Sequence, residues 1–164
     1  MVGQVSWLPG GLARKDSAAE AATDSGSARP VCLMPQYMLD TDTVSFALRG
    51  QGRVAARLLE HRPSQLCMSS ITLAELRFGA EARRSRKLHN LISTFAEAIA
   101  VVPLDQAAAD RFGAVAASLA RRGVPIGTFD TLMAAHALSL GLIFVTNNTK
   151  HFGRVVGLKS ENWL

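Results

Sequence analysis

The sequence predicts an α/β domain: a short, mainly parallel sheet of four to five strands flanked by helices. Two observations carry that expectation. After Met38, short apolar runs alternate with longer segments whose apolar residues recur at helical spacing. The longer segments also carry helix punctuation: Asp105 stands as an N-cap before QAAADRFGAVAASLARR, Gly123 follows its basic end, and Gly141 closes the last long helix.

Taken in order, the expected strands are 36–39, 66–69 (LCMS), 100–103 (AVVP) and 142–146 (LIFVT), with an edge strand around 161–163. Each is short and apolar, as buried parallel strands are. Between them the spacing predicts helices over 43–60, broken at 50–52 by two glycines, then 72–98 in two pieces, 106–122 and 129–140. No internal repeat is visible.

A chain of 164 residues, 48% hydrophobic and 19% charged, has room for one domain with a real core. No apolar run approaches the roughly 20 residues that cross a bilayer, and the start lacks a basic segment followed by an apolar one. A soluble, cytoplasmic protein is expected. Cys32 and Cys67 stand far apart in no metal-binding spacing, so neither a disulfide framework nor a structural zinc site is expected. The net charge of +5 lies wholly after residue 37, because Arg14, Lys15 and Arg29 balance Asp16, Glu20 and Asp24 before it. A basic folded part favours a polyanionic partner. Residues 1–37, rich in Gly, Ala, Ser and Asp, read as a disordered leader or as a start assigned too far upstream, with Met34 and Met38 as later starts. The folded domain is then 38–164.

The chemistry-bearing residues are acids. Asp40 closes the first strand in QYMLDTDTVSF, and open parallel sheets bind ligands beyond the carboxyl ends of their strands. Capping of the next helix is assigned to Asp42 instead. Glu75 shares one helical face with Ile71, Ala74 and Phe78, a carboxylate on an apolar stripe. A structural reading stands beside it: Thr72-Leu-Ala-Glu75 fits a capping box, with Glu75 bonded back to the backbone. Asp130 opens FDTLMAAHALSLGL, apolar nearly all round and so buried; it is either a first-turn acid favoured by the helix dipole or a site residue. Asn148 emerges after the fourth strand, where a turn asparagine is the plainer explanation. Asp110 lies beside Arg111 on a solvated helix face, and His136 reads as a packed, hydrogen-bonded core histidine. No Ser-based nucleophile motif and no Gly-rich phosphate loop is present.

If Asp40, Glu75 and Asp130 converge, each pair about 5 Å apart repels by roughly 3 kcal/mol at an effective dielectric near 20. A domain stable by about 5–15 kcal/mol cannot carry three such pairs uncompensated. Oxygen ligands without His or Cys suit Mg²⁺ or Mn²⁺. Such an ion activates water at phosphorus, and a phosphodiester substrate accounts for the basic clusters Arg83, Arg84, Arg86, Lys87 or Arg121, Arg122, Lys150, Arg154.

MLDTD at 38–42, SSITLAELRFGAE at 69–81, GVPIGTFDTLMAAHALSLGL at 123–142, VTNNTKHF at 145–152 and VGLKSENWL at 156–164 together resemble a PIN-domain toxin of the VapC-like group from bacterial toxin-antitoxin pairs. The resemblance implies a PIN-like three-layer sandwich. It further implies a Mg²⁺- or Mn²⁺-dependent endoribonuclease, usually homodimeric, that attacks structured RNA such as tRNA and is covered by a cognate antitoxin. By position it assigns Asp40, Glu75 and Asp130 to the first three metal-site acids and Asn148 to the fourth position. Several relatives have an acid at that fourth position, and Asn is commoner than acid where this chain has Asp42.

Two other functions fit parts of the sequence. LDTDT resembles the nucleophile loop of haloacid dehalogenase-like phosphatases, with Asp40 phosphorylated, although TNNTK stands where that family has a paired-acid motif. A catalytically weak module that binds RNA or antitoxin is the other, with Asn148 marking a lost metal ligand.

Overall fold

The computed structural model describes residues 35–164. The leader at 1–37, apart from its last three positions, lies outside the described residues, as do Cys32 and Met34. Within the described part, β1 (Tyr37–Leu39), β2 (Leu66–Ser69), β3 (Ala100–Val102), β4 (Ile143–Val145) and β5 (Ser160–Glu161) form one sheet in the order β3-β2-β1-β4-β5. Every pairing is parallel. Parallel neighbours need crossover connections, and the helices supply them. They are α1 (Thr41–Arg49), α2 (Val54–Leu59), α3 (Ser70–Ala82), α4 (Arg86–Ala98), α5 (Gln106–Arg121), α6 (Thr128–Ser139) and α7 (Thr149–Phe152).

Side-chain alternation along these strands divides the core in two. Met38, Cys67 and Phe144 stand in register on one face and pack with Leu119, Met133 and Phe152 of α5, α6 and α7. Leu39, Met68 and Val145, one residue on, face the opposite way and pack with Val44, Leu58, Ile92 and Phe95 of α1, α2 and α4. Strands buried on both faces explain why the sequence shows continuous apolar runs rather than alternation. The result is the helix-sheet-helix sandwich the sequence predicts.

Local differences have local causes. The first helix begins at Thr41, not 43, because Asp40 and not Asp42 is its N-cap, accepting a hydrogen bond from the Thr41 N–H at 2.7 Å. It ends at Gly50, whose φ of 63° is the left-handed conformation glycine takes without strain. The next long helix begins at Ser70 rather than 72, capped by Ser69, whose Oγ accepts from the Ile71 N–H at 3.1 Å. The edge strand is Ser160–Glu161, slightly ahead of the expected 161–163. Trp163 instead turns into the core, donating from Nε1 to Glu161 at 2.8 Å and stacking on His61 with ring centres 4.9 Å apart. The four-residue α7 was not expected.

Candidate functional site

β1 is the middle strand, so Asp40 leaves the sheet level with Ser69 at the end of β2 and Thr146 at the end of β4. Those two flanking ends launch α3, with Glu75 in its second turn, and the turn into α7, with Asn148 as its N-cap. α6 brings Asp130 in its first turn. These residues meet: a cleft of about 140 Å³ is lined by Asp40, Thr41, Asp42, Glu75, Asp130, Met133, Asn148 and Phe152. All four site residues named from the sequence are brought together there.

Asp40 is 4% exposed and fully held. Its Oδ1 accepts from the Thr41 N–H, its Oδ2 accepts from the Thr146 hydroxyl at 2.6 Å, and its own N–H donates to the Val145 carbonyl at 2.9 Å. Burial pushes its carboxyl up to about 7, and the charges of Asp42 and Asp130 push the same way. The hydrogen bonds from Thr146 and Thr41 oppose that rise without cancelling it.

Glu75 is not part of a capping box, since Ser69 caps the helix. Its Oε2 accepts from the Thr41 hydroxyl at 2.5 Å instead, which ties α3 to the start of α1. Beneath this pair, the Thr72 hydroxyl lies 3.2 Å from the Met133 sulfur, so α3 and α6 meet directly under the cleft. Asp130 sits at a first turn without a side-chain N-cap, and its Oδ2 is 3.5 Å from the His151 Nδ1, within ion-pairing range though outside hydrogen-bond geometry. Asn148 accepts weakly from the His151 N–H through Oδ1 at 3.4 Å, and its own N–H donates to Thr146 at 3.0 Å.

Three contributors were missed by sequence reasoning: Thr41, Thr146 and His151. Both threonines lie inside motifs that the sequence displays, MLDTD and VTNNTKHF. Their partners, however, are 34 and 106 residues away, and only the fold discloses them. His136 is wholly buried, its Nδ1 2.9 Å from the Ser69 hydroxyl, and burial lowers its pKa while Asp105 opposes the shift. It is a core histidine, as expected. Burial likewise pushes the Cys67 thiol up to about 12, which makes it inert.

The donor set fits a hard divalent cation: carboxylates and an amide oxygen, with no lysine or arginine among the residues lining the cleft. Burial keeps a proton on Asp40 up to about pH 7, so this carboxylate is available to a cation only once that proton leaves. Among the described residues, no three His, Cys, Asp or Glu side chains are already set within one metal's reach. Magnesium does not require three, because it is held by one or two carboxylates and keeps waters for the remainder. The phosphatase expectation fares worse, since it needs a lysine beside the nucleophile and none lines the cleft.

Residues 37–158 match the family model described as PIN domain. The chain belongs to the PIN-domain family. Within it, this PIN domain falls in the VapC-like group. It is 40% identical over 131 residues to the tRNA(fMet)-specific endonuclease VapC of Shigella flexneri, covering 79% of this chain and 99% of that one. Against ribonuclease VapC2 of Haemophilus influenzae the figures are 36% over 132 residues, 80% and 100%. The PIN domain also superposes on a chain of the DNA-bound VapBC structure from Salmonella typhimurium with TM-score 0.72 and 37% identity, covering 80% of this chain and 100% of that one. FitAcB from Neisseria gonorrhoeae gives TM-score 0.68, 27% identity, 77% and 96%.

Proposed function

We propose that this PIN domain is the toxin of a toxin-antitoxin pair: a Mg²⁺- or Mn²⁺-dependent endoribonuclease that cleaves RNA, with tRNA as the first substrate class to test. The observation that carries the reading is the convergence of Asp40, Glu75 and Asp130 on one cleft at the carboxyl edge of the sheet. The VapC relatives support the substrate class, one of them being named for tRNA(fMet). The partner class is supported by the VapBC neighbours.

Asp40, Glu75 and Asp130, with Asn148 at the fourth position, would hold the cation. When bound, it supplies water activation for in-line attack at phosphorus and stabilises the leaving oxygen. The chain's own residues do the rest. Thr146 and the Thr41 N–H fix both oxygens of Asp40, so its carboxylate cannot rotate away from the cleft. Thr41 holds one Glu75 oxygen and leaves the other free to bind. Met133 and Phe152 close the floor with apolar surface, which keeps the local dielectric low and the charge interactions strong. Because no general-base histidine is needed, the buried His136 stays out of the chemistry.

The test is cleavage of labelled tRNA by purified protein with Mg²⁺, with Mn²⁺ and with chelator. Metal-dependent scission by the wild type, abolished in Asp40→Asn, is the expected result. Scission that survives chelation, or that persists in Asp40→Asn, would overturn the reading.

A further inference from the structure

Two basic clusters are visible in the sequence, and the fold gives them different places relative to the cleft. Arg84, Arg86 and Lys87 lie beyond the far end of α3. That helix starts at the carboxyl edge of the sheet and runs away from it, so from Glu75 to Ala82 the axis carries the chain about 10 Å further off. The other cluster borders the cleft. Asn148 lines the cleft and caps α7, Lys150 follows within that helix, and Arg154 comes just after its end at Gly153. Arg122 donates to the Arg154 carbonyl, and Arg154 donates to the Pro125 carbonyl at 3.5 Å, which ties Arg154 to the loop that leads to Asp130 and Arg122 to Arg154. Neither these two arginines nor Lys150 has an acidic partner among the described residues. Phe129, the residue before Asp130 and four after the Pro125 carbonyl that holds Arg154, is 57% exposed. A large aromatic left in water, on the segment to which a cation without an acidic partner is tied, has the makeup of a base-stacking platform on a phosphate track.

The opposite flank has different chemistry. There a groove of about 350 Å³ shares Thr41 and Glu75 with the cleft, and most of its lining is apolar, Leu48, Leu76, Leu88, Leu91 and Ile92; the two arginines that also line it are engaged locally, Arg49 on the Gln51 side chain and Arg83 on the Gly79 carbonyl. Five apolar side chains along one groove suit the apolar side chains of a peptide, which a phosphodiester backbone cannot supply. Resting on the nuclease reading of the cleft, we infer that RNA enters along the α6–α7 flank, with its phosphates on Arg122, Lys150 and Arg154 and a base stacked on Phe129. The cluster at 84–87 takes no part in substrate binding.

The experiment measures binding of a labelled initiator-tRNA transcript to the full chain carrying Asp40→Asn, as a function of KCl concentration. Removing one cation from a phosphate lowers the steepness of the log–log salt dependence by about 0.9. Lys150→Ala with Arg154→Ala is expected to weaken binding by about tenfold or more and to flatten that slope by about 2. Lys150→Glu, fully on the surface, guards against a folding defect from Arg154 and must weaken binding as well. Phe129→Ala is expected to weaken binding by about tenfold, with Phe129→Trp near wild type. The triple change Arg84→Ala, Arg86→Ala, Lys87→Ala should leave both affinity and slope unchanged. Loss concentrated in that triple variant, or a Phe129→Ala protein that binds RNA normally but fails to self-associate or to hold a protein partner, would overturn the inference. A wild type that binds RNA along this flank and never cuts it would instead sink the nuclease reading.

Discussion

At the residue scale, the site depends on how one buried carboxyl is held. Asp40 was legible because a charged residue directly after a buried strand has few structural reasons to be there. What holds it was not legible, because Thr146 lies 106 residues away and resembles any turn threonine. Thr146→Val keeps the shape and removes the hydroxyl. Asp40 then loses the stronger of the two hydrogen bonds that favour its charged form. The acidic limb of the cleavage rate–pH profile is expected to move to higher pH. Stability at alkaline pH should fall by about 1.5–3 kcal/mol, the worth of a hydrogen bond to a charged group, measured by urea unfolding. An unmoved limb would show that Thr146 does not tune this acid. The misassigned cap teaches the same point: Asp40 and Asp42 are both acceptable N-caps in one dimension. Only the end of β1 in space decides that Asp40 takes the Thr41 N–H while Asp42 is left exposed at the rim.

At the scale of elements, long helices could be read because their caps are chemical signals local to the chain. Asp105 accepts from the Ala108 N–H at 2.9 Å, and Gly123 and Gly141 adopt φ of 66° and 67°. α7 could not be read and β5 only approximately: four and two residues are too few to display any period, and β5 forms by pairing with β4. Ser69 is the junction of greatest consequence. It ends β2, caps α3, and meets His136 of α6, so one hydroxyl sets the relation between the helix carrying Glu75 and the helix carrying Asp130. Ser69→Ala removes the cap and strands a buried imidazole nitrogen. The expected cost is about 2–3 kcal/mol by denaturant unfolding, more than an exposed cap alone. Cleavage should fall further than the small remaining unfolded fraction explains. A loss below about 0.5 kcal/mol, the scale of an unremarkable surface change, would contradict this placement.

At the scale of the whole molecule, two buried groups give stability opposite dependences on pH. The Asp40 pKa is raised from 3.8 to about 7, so between those values the folded state binds more protons than the unfolded one. Its contribution is present at low pH and is lost as pH rises through about 7, with an upper bound of about 4 kcal/mol. His136 is lowered from 6.5 by burial, so its contribution is present above that value and is lost as pH falls below it. In chelator, the wild type should therefore show a flattened profile in the weakly acid range. Asp40→Asn should expose the His136 slope, with stability rising toward neutrality, as followed by thermal unfolding against pH. Identical profiles for the two proteins would contradict the burial of Asp40 as a titrating group. The sandwich itself was legible because each strand is apolar throughout and each crossover is helical. The strand order β3-β2-β1-β4-β5 was not, since nothing local says that β4 returns to the far side of β1.

Asp40, Glu75 and Asp130, distant in sequence, are proposed to form one cation-binding cup. Calorimetric titration of Mn²⁺ into metal-free wild type and into Asp40→Asn, Glu75→Gln and Asp130→Asn tests it most directly. The expected result is a saturable site in the wild type that weakens by about tenfold or more in each variant. A wild type that takes up no Mn²⁺ at neutral or alkaline pH, or three variants that bind it as tightly as the wild type, would contradict it.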